Sequence, residues 1–466
     1  MVFVRSSKPL EKKRKIQVFT GRHSDHISPS LPHGDFQQPQ GSLVVNYRLW
    51  RSLELHSHHN ALGLASTPTG TVFAAGIAKK NPVQPVTLLR PHAARRAARF
   101  FVEKFPGRPL YAVKANPSPD LLQILWDSGI THYDVASIAE IRLVGETLPE
   151  AVQCFMHPVK AVEAIAEAYF DHGVRTFSLD TMEELDKIVR ATTSPEGVVA
   201  ADLNLCVRIR VSSDHSKLSL ASKFGAEPHE MKALLFATRQ AADALGICFH
   251  VGSQAMTPAA YAEAMERVRA AIVEAAVTVD IVDVGGGFPS VYPGMEPPPL
   301  EAYFEVIHNS FESLPISYSA ELWCEPGRAL CAEYASVLVR VEKRRGDQLY
   351  INDGAYGALF DAAHIGWRFP VRLIRDEKSD VRDMAFSFYG PTCDDLDHMA
   401  GPFLLPADVG AGDYIEIGML GAYGCAMRTG FNGFGTVARE IAGDEPMATL
   451  YGGAEQDLAR SSVVTL

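Results

Sequence analysis

Apolar and polar positions change rhythm along this chain. From residue 110, short apolar, β-branched runs alternate with stretches in which apolar residues recur every three or four positions. The short runs, at 110–113, 132–135, 152–156, 176–179, 203–211, 247–251, 279–284 and 322–325, predict strands. The stretches between them, at 119–128, 138–146, 159–170, 182–191, 228–245 and 258–276, predict helices. Pro119, Pro228 and Pro258 stand near helix starts, where a missing N–H costs nothing. Eight strands alternating with helices read as a parallel array closing into a (β/α)8 barrel, with an open doubly wound sheet as the alternative. After residue 330 the helical stretches fade. Strand-like runs recur at 334–342, 348–352, 369–374, 384–388 and 413–419, separated by turn residues. They predict a mainly antiparallel β domain, a sandwich or barrel.

Residues 1–70 follow neither rhythm. They are rich in Ser, Pro, His, Gln and Lys/Arg and read as a flexible leader. Its basic run, Lys12 to Lys15, reads as a solvated tail, with a targeting or anion-binding patch as the alternative. Residues 71–106 are expected to supply an N-terminal strand of the β domain, at 71–75, and a lead-in helix. The barrel would occupy 107–332 and the C-terminal β domain 333–466, leaving the barrel inserted within the β domain.

Of the 466 residues, 47% are hydrophobic and 21% charged, an ordinary globular mix. A formal net charge of -11 disfavours a general nucleic-acid binder, which needs a basic surface. No apolar run reaches the ~20 residues of a membrane span, and no apolar segment follows the basic run as in a signal peptide. The expected location is the cytoplasm. Seven scattered cysteines give no disulfide framework; Cys206, Cys248 and Cys324 lie in apolar runs and suit small buried thiols. No CxxC or HExxH motif supports a metal.

A barrel collects function at the carboxyl ends of its strands. Lys114, Asp134, Ser137, His157, Asp180, Arg208, Arg210 and His250 all fall there, as do Gly285-Gly-Gly287 and Glu325-Pro-Gly-Arg328. Lys114 ends an otherwise apolar strand. A desolvated lysine has a lowered pKa and can form a Schiff base with an aldehyde; otherwise it snorkels to water. Consecutive glycines bring backbone N–H groups close to a phosphate, although the dinucleotide-binding spacing is missing. Arg328 would add a phosphate contact, or else an ion pair in a surface turn. An aldehyde and a phosphate on one small molecule describe pyridoxal 5′-phosphate. Glu325 would face its ring nitrogen, and His250 would stack on the ring.

Residues 110–440 resemble the fold-type III pyridoxal phosphate-dependent decarboxylases of the ornithine/lysine decarboxylase family. The resemblance rests on Tyr111-Ala-Val-Lys-Ala-Asn-Pro117, Phe249-His-Val-Gly-Ser253, Asp283-Val-Gly-Gly-Gly-Phe-Pro289, Glu325-Pro-Gly-Arg328, Gly390-Pro-Thr-Cys-Asp394 and Gly421-Ala-Tyr423, in that order. It implies a barrel plus β domain, and a head-to-tail homodimer with active sites at the interface. It assigns Lys114 to the cofactor aldehyde, Asp134 and Glu140 behind it, and Arg208 to the ring's phenolic oxygen. His250 stacks, and Glu325 meets the ring nitrogen. Ser253, Gly285, Gly286, Gly287, Arg328 and Tyr423 take the phosphate. Cys393 and Asp394 reach the neighbouring subunit's site, and Asp361, beside Phe360, is a second acidic substrate contact. Gly430 departs from the family pattern, which has a larger, often basic residue there.

The implied reaction is decarboxylation of a basic L-amino acid, most simply L-ornithine to putrescine in polyamine biosynthesis, with lysine as the alternative. Asp361 and Asp394 suit a distal ammonium. Cys393 would return a proton to Cα, and its neighbours Asp394, Asp395 and Asp397 favour the protonated thiol. An amino-acid racemase is a rival, but alanine racemases place an arginine where this chain has Glu325. A catalytically inactive, regulator-binding homologue is another rival; such proteins lose cofactor ligands that are all present here.

Overall fold

The fold, taken from a computed structural model, is described for residues 73–452 other than 213, 221 and 376–379. The expected leader therefore lies outside the described residues. Short β-branched and aromatic runs form eight strands: Arg108–Ala112, His132–Val135, Val152–Phe155, Thr176–Leu179, Asn204–Arg208, Ala244–Cys248, Ile281–Asp283 and Glu321–Cys324. Neighbours pair in parallel in chain order, and Trp323 beside Arg108 closes the barrel. The open sheet is thereby excluded. Alternate side chains explain the composition. Tyr111, Tyr133, Phe155, Phe177 and Leu205 join the large core that includes the surrounding helices. Leu110, Cys154, Met156, Cys206, Cys248, Ile281 and Trp323 form a separate cluster, as expected of a filled barrel interior.

The sixth strand begins earlier than its periodicity suggests. The preceding helix ends at Ala241 and the strand spans Ala244–Cys248. Gly246 lies inside it because a Cβ there would meet Cys206 Sγ at 2.4 Å. The fifth strand is shorter than the expected 203–211 run and stops at Arg208.

The second layer is an eight-stranded, mostly antiparallel, curled sheet. Its longest strand, Ala335–Arg345, pairs first with Tyr414–Ile417 and then with Gln348–Ile351, across a register shift near Val341. The strand expected at 71–75 is not one: residues Ala74–Ala78 form a short helix, and 71–72 lie outside the described residues. An alanine-rich segment followed by two lysines satisfies a helical turn better than an extended run. The early strand of this sheet is instead Val86–Leu89, antiparallel to Ala335–Arg345 and parallel to Ala438–Ile441. The barrel is thus inserted between the first two strands of the sheet. The strand His398–Pro406 carries no strand signal in the sequence, because Gly401, Pro402 and Pro406 read as breakers.

Where the first strand leaves the sheet, Arg90 is buried. It donates to Ser336 Oγ at 2.8 Å and Glu416 Oε1 at 2.7 Å. Arg372 Nε reaches the other Glu416 oxygen at 2.8 Å. A buried carboxylate that loses one cation is left undercompensated. Arg90→Met is expected to lower unfolding free energy by about 2–3 kcal/mol in a denaturant titration. A change below about 0.5 kcal/mol, the range of an ordinary surface substitution, would show the network to be dispensable.

Candidate active site

Lys114 lies just past the first barrel strand, in the single 3-10 turn Val113–Ala115 rather than in the strand itself. The turn is fastened to the sheet domain. Tyr423 N–H donates to the Ala115 carbonyl at 2.7 Å, and Asn116 Nδ2 to the Gly421 carbonyl at 2.8 Å. The backbone of Tyr423 is left-handed, φ +65°, which is rare for an aromatic residue. Lys114 Nζ meets Asp134 Oδ2 at 2.5 Å; the carboxylate is 2% exposed and the lysine side chain 42%. Burial lowers the Lys114 pKa, but Asp134, then Glu325 and Tyr423, raise it, and the net shift is upward. The lowered amine pKa expected from desolvation is therefore not found, because the lysine is paired. Glu140 stands behind the pair. Its carboxylate accepts from Ala136 N–H at 2.7 Å, and Ser137 caps its helix.

Glu325 follows the eighth strand and faces Asp283 at the end of the seventh. Burial, then Asp283 and Asp134, push the Glu325 carboxyl well up. Burial also raises Asp283, to about 6. Asp283 Oδ1 accepts from Gly285 N–H at 2.8 Å, tying this acid pair to the triglycine turn. Asp283 opens one of the quoted motifs, yet its partnership with Glu325 was not anticipated. The only signal was an acid just before the glycines.

The triglycine turn is a close-packed cradle. At Gly287, φ +104°, a Cβ would meet the Gly252 carbonyl at 2.5 Å; at Gly285, φ +67°, the Phe249 carbonyl at 2.0 Å. Ala255 N–H donates to the Gly287 carbonyl at 2.9 Å, placing the Ser253–Ala255 strand beside the turn. Arg328 starts the short helix Arg328–Cys331. Its guanidinium stacks over Trp367 at 4.3 Å and Tyr423 at 5.0 Å, donates to the Tyr292 hydroxyl at 3.1 Å and pairs with Asp361 at 3.6 Å. Arg328 Nε, though buried, has no hydrogen-bond partner among the described residues. A glycine cradle beside a buried arginine with a spare donor fits a phosphate group.

His250 Nδ1 accepts from Gly252 N–H at 3.0 Å, which places the proton of the neutral ring on Nε2. Arg208 lies over the Phe224 ring at 5.3 Å. The other polar residues at the strand ends are structural. Asp180 accepts from Gly225 N–H at 2.9 Å, Arg210 pairs with Glu227 at 2.5 Å, and His157 Nδ1 accepts from Val159 N–H at 3.1 Å.

Cys393 and Asp394 are not at this mouth. Cys393 is exposed and Asp394 half-buried on the sheet domain, and both help line a cavity of about 710 Å³ with Val83, Arg340, Tyr350, Tyr389 and Phe434, all outside the barrel. The acids expected around the thiol face other groups. Asp397 is buried and accepts from Ala355 N–H at 2.7 Å and Thr392 Oγ1 at 2.7 Å, and Asp394 accepts from the Tyr356 hydroxyl. Phe360 packs on His364, with ring centroids 4.4 Å apart, and Asp361 is drawn to Arg328. A Cβ at Gly430 would meet nothing within 4 Å, so the departure there leaves the packing undisturbed. Among the described residues no helix is long and apolar enough to cross a membrane.

A barrel whose mouth joins a paired lysine to a buried acid pair and a close-packed glycine turn, fastened to a curled sheet, is the architecture of a pyridoxal-binding barrel with a sheet domain. The model of the pyridoxal-binding domain of pyridoxal-dependent decarboxylases matches residues 92–332, and that of their C-terminal sheet domain matches 329–421. The chain belongs to this family. It is 33% identical to the lysine/ornithine decarboxylase of Selenomonas ruminantium, over 72% of this chain and 84% of that protein. It is 30% identical to antizyme inhibitor 2 of Xenopus laevis, over 73% and 76%. The crystal structure of the Paramecium bursaria Chlorella virus arginine decarboxylase bound to agmatine superposes with a TM-score of 0.70 at 27% identity, covering 78% of this chain and 98% of that one.

Burial, then Arg208 and Lys114, push the His250 imidazole down from 6.5 to about 3. The folded chain holds the ring neutral, so below pH 6.5 unfolding takes up a proton. Stability from this group is complete above pH 6.5 and is lost as pH falls towards 3. His250→Gln is expected to flatten the fall in denaturant midpoint between about pH 7 and pH 5. Parallel slopes in the two chains would contradict a neutral imidazole in the folded chain.

Proposed function

We infer that this chain decarboxylates a basic L-amino acid, converting L-ornithine to putrescine and carbon dioxide in polyamine synthesis. The observation that carries this reading is the convergence of Lys114–Asp134, Glu325–Asp283, the triglycine turn and Arg328 on one barrel mouth. Pyridoxal 5′-phosphate, when bound, supplies an electron sink for the pair left by the departing carboxylate. Lys114 is the residue to hold its aldehyde, with Asp134 compensating and aiming the amine. Glu325, kept protonated by burial and by Asp283, offers a proton to the ring nitrogen. His250 presents a flat, uncharged face for stacking, and Arg208 a cation for the phenolic oxygen. Ser253, the N–H groups of Gly285, Gly286 and Gly287, Arg328 and Tyr423 take the phosphate.

Asp394 and Asp361, beside Phe360, suit the distal ammonium of the substrate. As the Cα–carboxylate bond breaks, carbon dioxide leaves and the electron pair stays behind. The Cys393 S–H bond then breaks, its proton forms the new Cα–H bond, and solvent reprotonates the sulfur. The exposed position of Cys393, away from Lys114, supports a homodimer in which the sheet-domain loop of one copy completes the mouth of the other. Lysine is the alternative substrate, since one methylene changes burial by only ~0.8 kcal/mol. A relative named for inhibiting antizyme motivates a second, non-enzymatic reading in which the chain binds a regulator.

Purified protein with pyridoxal 5′-phosphate is expected to carry a visible absorption that borohydride bleaches and Lys114→Ala abolishes; a band that persists would defeat the assignment of Lys114 to the aldehyde. Carbon dioxide release in competition among ornithine, lysine, arginine and diaminopimelate is expected to favour ornithine. No release from any of them would leave the regulator-binding reading. Cys393→Ala should retain the absorption band while sharply slowing turnover. Lys114→Ala chains, inactive alone, and Cys393→Ala chains, slow alone, should gain activity on mixing, because one mixed mouth is intact; no gain would argue against a site shared between copies.

A further inference from the structure

Asn432 lies in the short turn Phe431–Gly433 of the sheet domain. Its side-chain Oδ1 accepts two hydrogen bonds from one residue: from the Cys393 backbone N–H at 3.1 Å and from the Cys393 Sγ–H at 3.2 Å. Its backbone is left-handed, φ +51° and ψ +13°, a conformation asparagine tolerates better than most residues. The turn is itself anchored. Thr429 N–H donates to the Tyr356 carbonyl at 2.9 Å, and the Phe431 ring packs on the Tyr356 ring at 4.7 Å. Tyr356 in turn donates its hydroxyl to Asp394. One small unit therefore holds both neighbouring residues, the thiol through an amide and the carboxylate through a phenol.

A thiol free to rotate about its Cα–Cβ bond offers its hydrogen in several directions. A thiol bonded to a fixed amide oxygen keeps its sulfur in one rotamer, from which the hydrogen needs only a turn about the Cβ–Sγ bond. We propose that Asn432 is a positioning residue that orients the Cys393 thiol for proton delivery. The amide is unchanged by the reaction: the Sγ–H···Oδ1 bond breaks as the proton leaves Sγ for Cα, the sulfur keeps the electron pair, and Asn432 Oδ1 keeps the Cys393 backbone N–H as its donor. This inference rests on the role given to Cys393 above.

Alkylation of the full chain by iodoacetamide, followed cysteine by cysteine by mass spectrometry, tests it. Cys425 is the other exposed thiol and serves as an internal reference. Asn432→Gly removes the amide and accepts the left-handed backbone. The Cys393 rate relative to Cys425 is expected to rise roughly fivefold, the loss of one net hydrogen bond. Asn432→Asp, which keeps an acceptor oxygen, should return it to the parental rate or below. In turnover, Asn432→Gly should lower kcat about tenfold while KM stays within about twofold. In a folded variant Cys154, Cys206, Cys248, Cys324 and Cys331, all buried, remain unlabelled. Asn432→Ser gives the same comparison if the glycine variant exposes them. Parental labelling and kcat in a folded variant lacking the amide would overturn the proposal. If Cys393→Ala is slow while that variant matches the parent, the inference about Asn432 alone falls. If Cys393→Ala turns over at full rate, the role of the thiol falls and this inference with it.

Discussion

Lys114 stands among three buried acids at the barrel mouth, and the rest of the site depends on how that charge is held. Asp134, Asp283 and Glu325 could not all be ionised in a poorly hydrated pocket. Lys114 neutralises Asp134 directly, and burial forces a proton onto the Glu325–Asp283 pair. The site therefore stores both a positive amine and an acidic proton within one wall. The amine's charge is a lysine's ordinary state, reinforced by Asp134 against burial; the acidic proton follows from burial and proximity.

The two layers divide the work. The barrel supplies charge and the glycine cradle; the sheet supplies rigidity. The Lys114 turn has no long strand or helix of its own to fix it. It is held by hydrogen bonds to Gly421 and Tyr423 from the sheet domain. Arg328 is likewise oriented by Trp367 and Asp361, which lie beyond the barrel. The contacts run through a hydrophobic core shared by both layers.

What could be read in the chain was what lies in continuous stretches. Barrel strands such as His132–Val135 and Thr176–Leu179 stand where their apolar runs put them. Lys114 and the Glu325-Pro-Gly-Arg328 segment were visible because polar residues interrupt buried strand ends. The partners of those residues were not visible. Asp283 matters only because the seventh and eighth strands lie side by side. Tyr356 and Asn432 reach the Cys393 loop from distant turns, and no local pattern marks them. The misplaced early strand has the same origin: the run at 71–75 is apolar, whereas Val86–Leu89 earns its place only from partners at the far end of the chain. The separation of Cys393 from Lys114 is equally a matter of three-dimensional placement.

The insertion of the barrel sets an order of synthesis. Val86–Leu89 leaves the ribosome well before Ala335–Arg345 or Ala438–Ile441 exists, so its edge stays unpaired while the whole barrel is being made. Such distant pairing is slow. A nascent chain halted after the barrel would expose a sticky ribbon with nothing to zip to, and no single cut in the chain could release the two layers as separate, self-sufficient pieces.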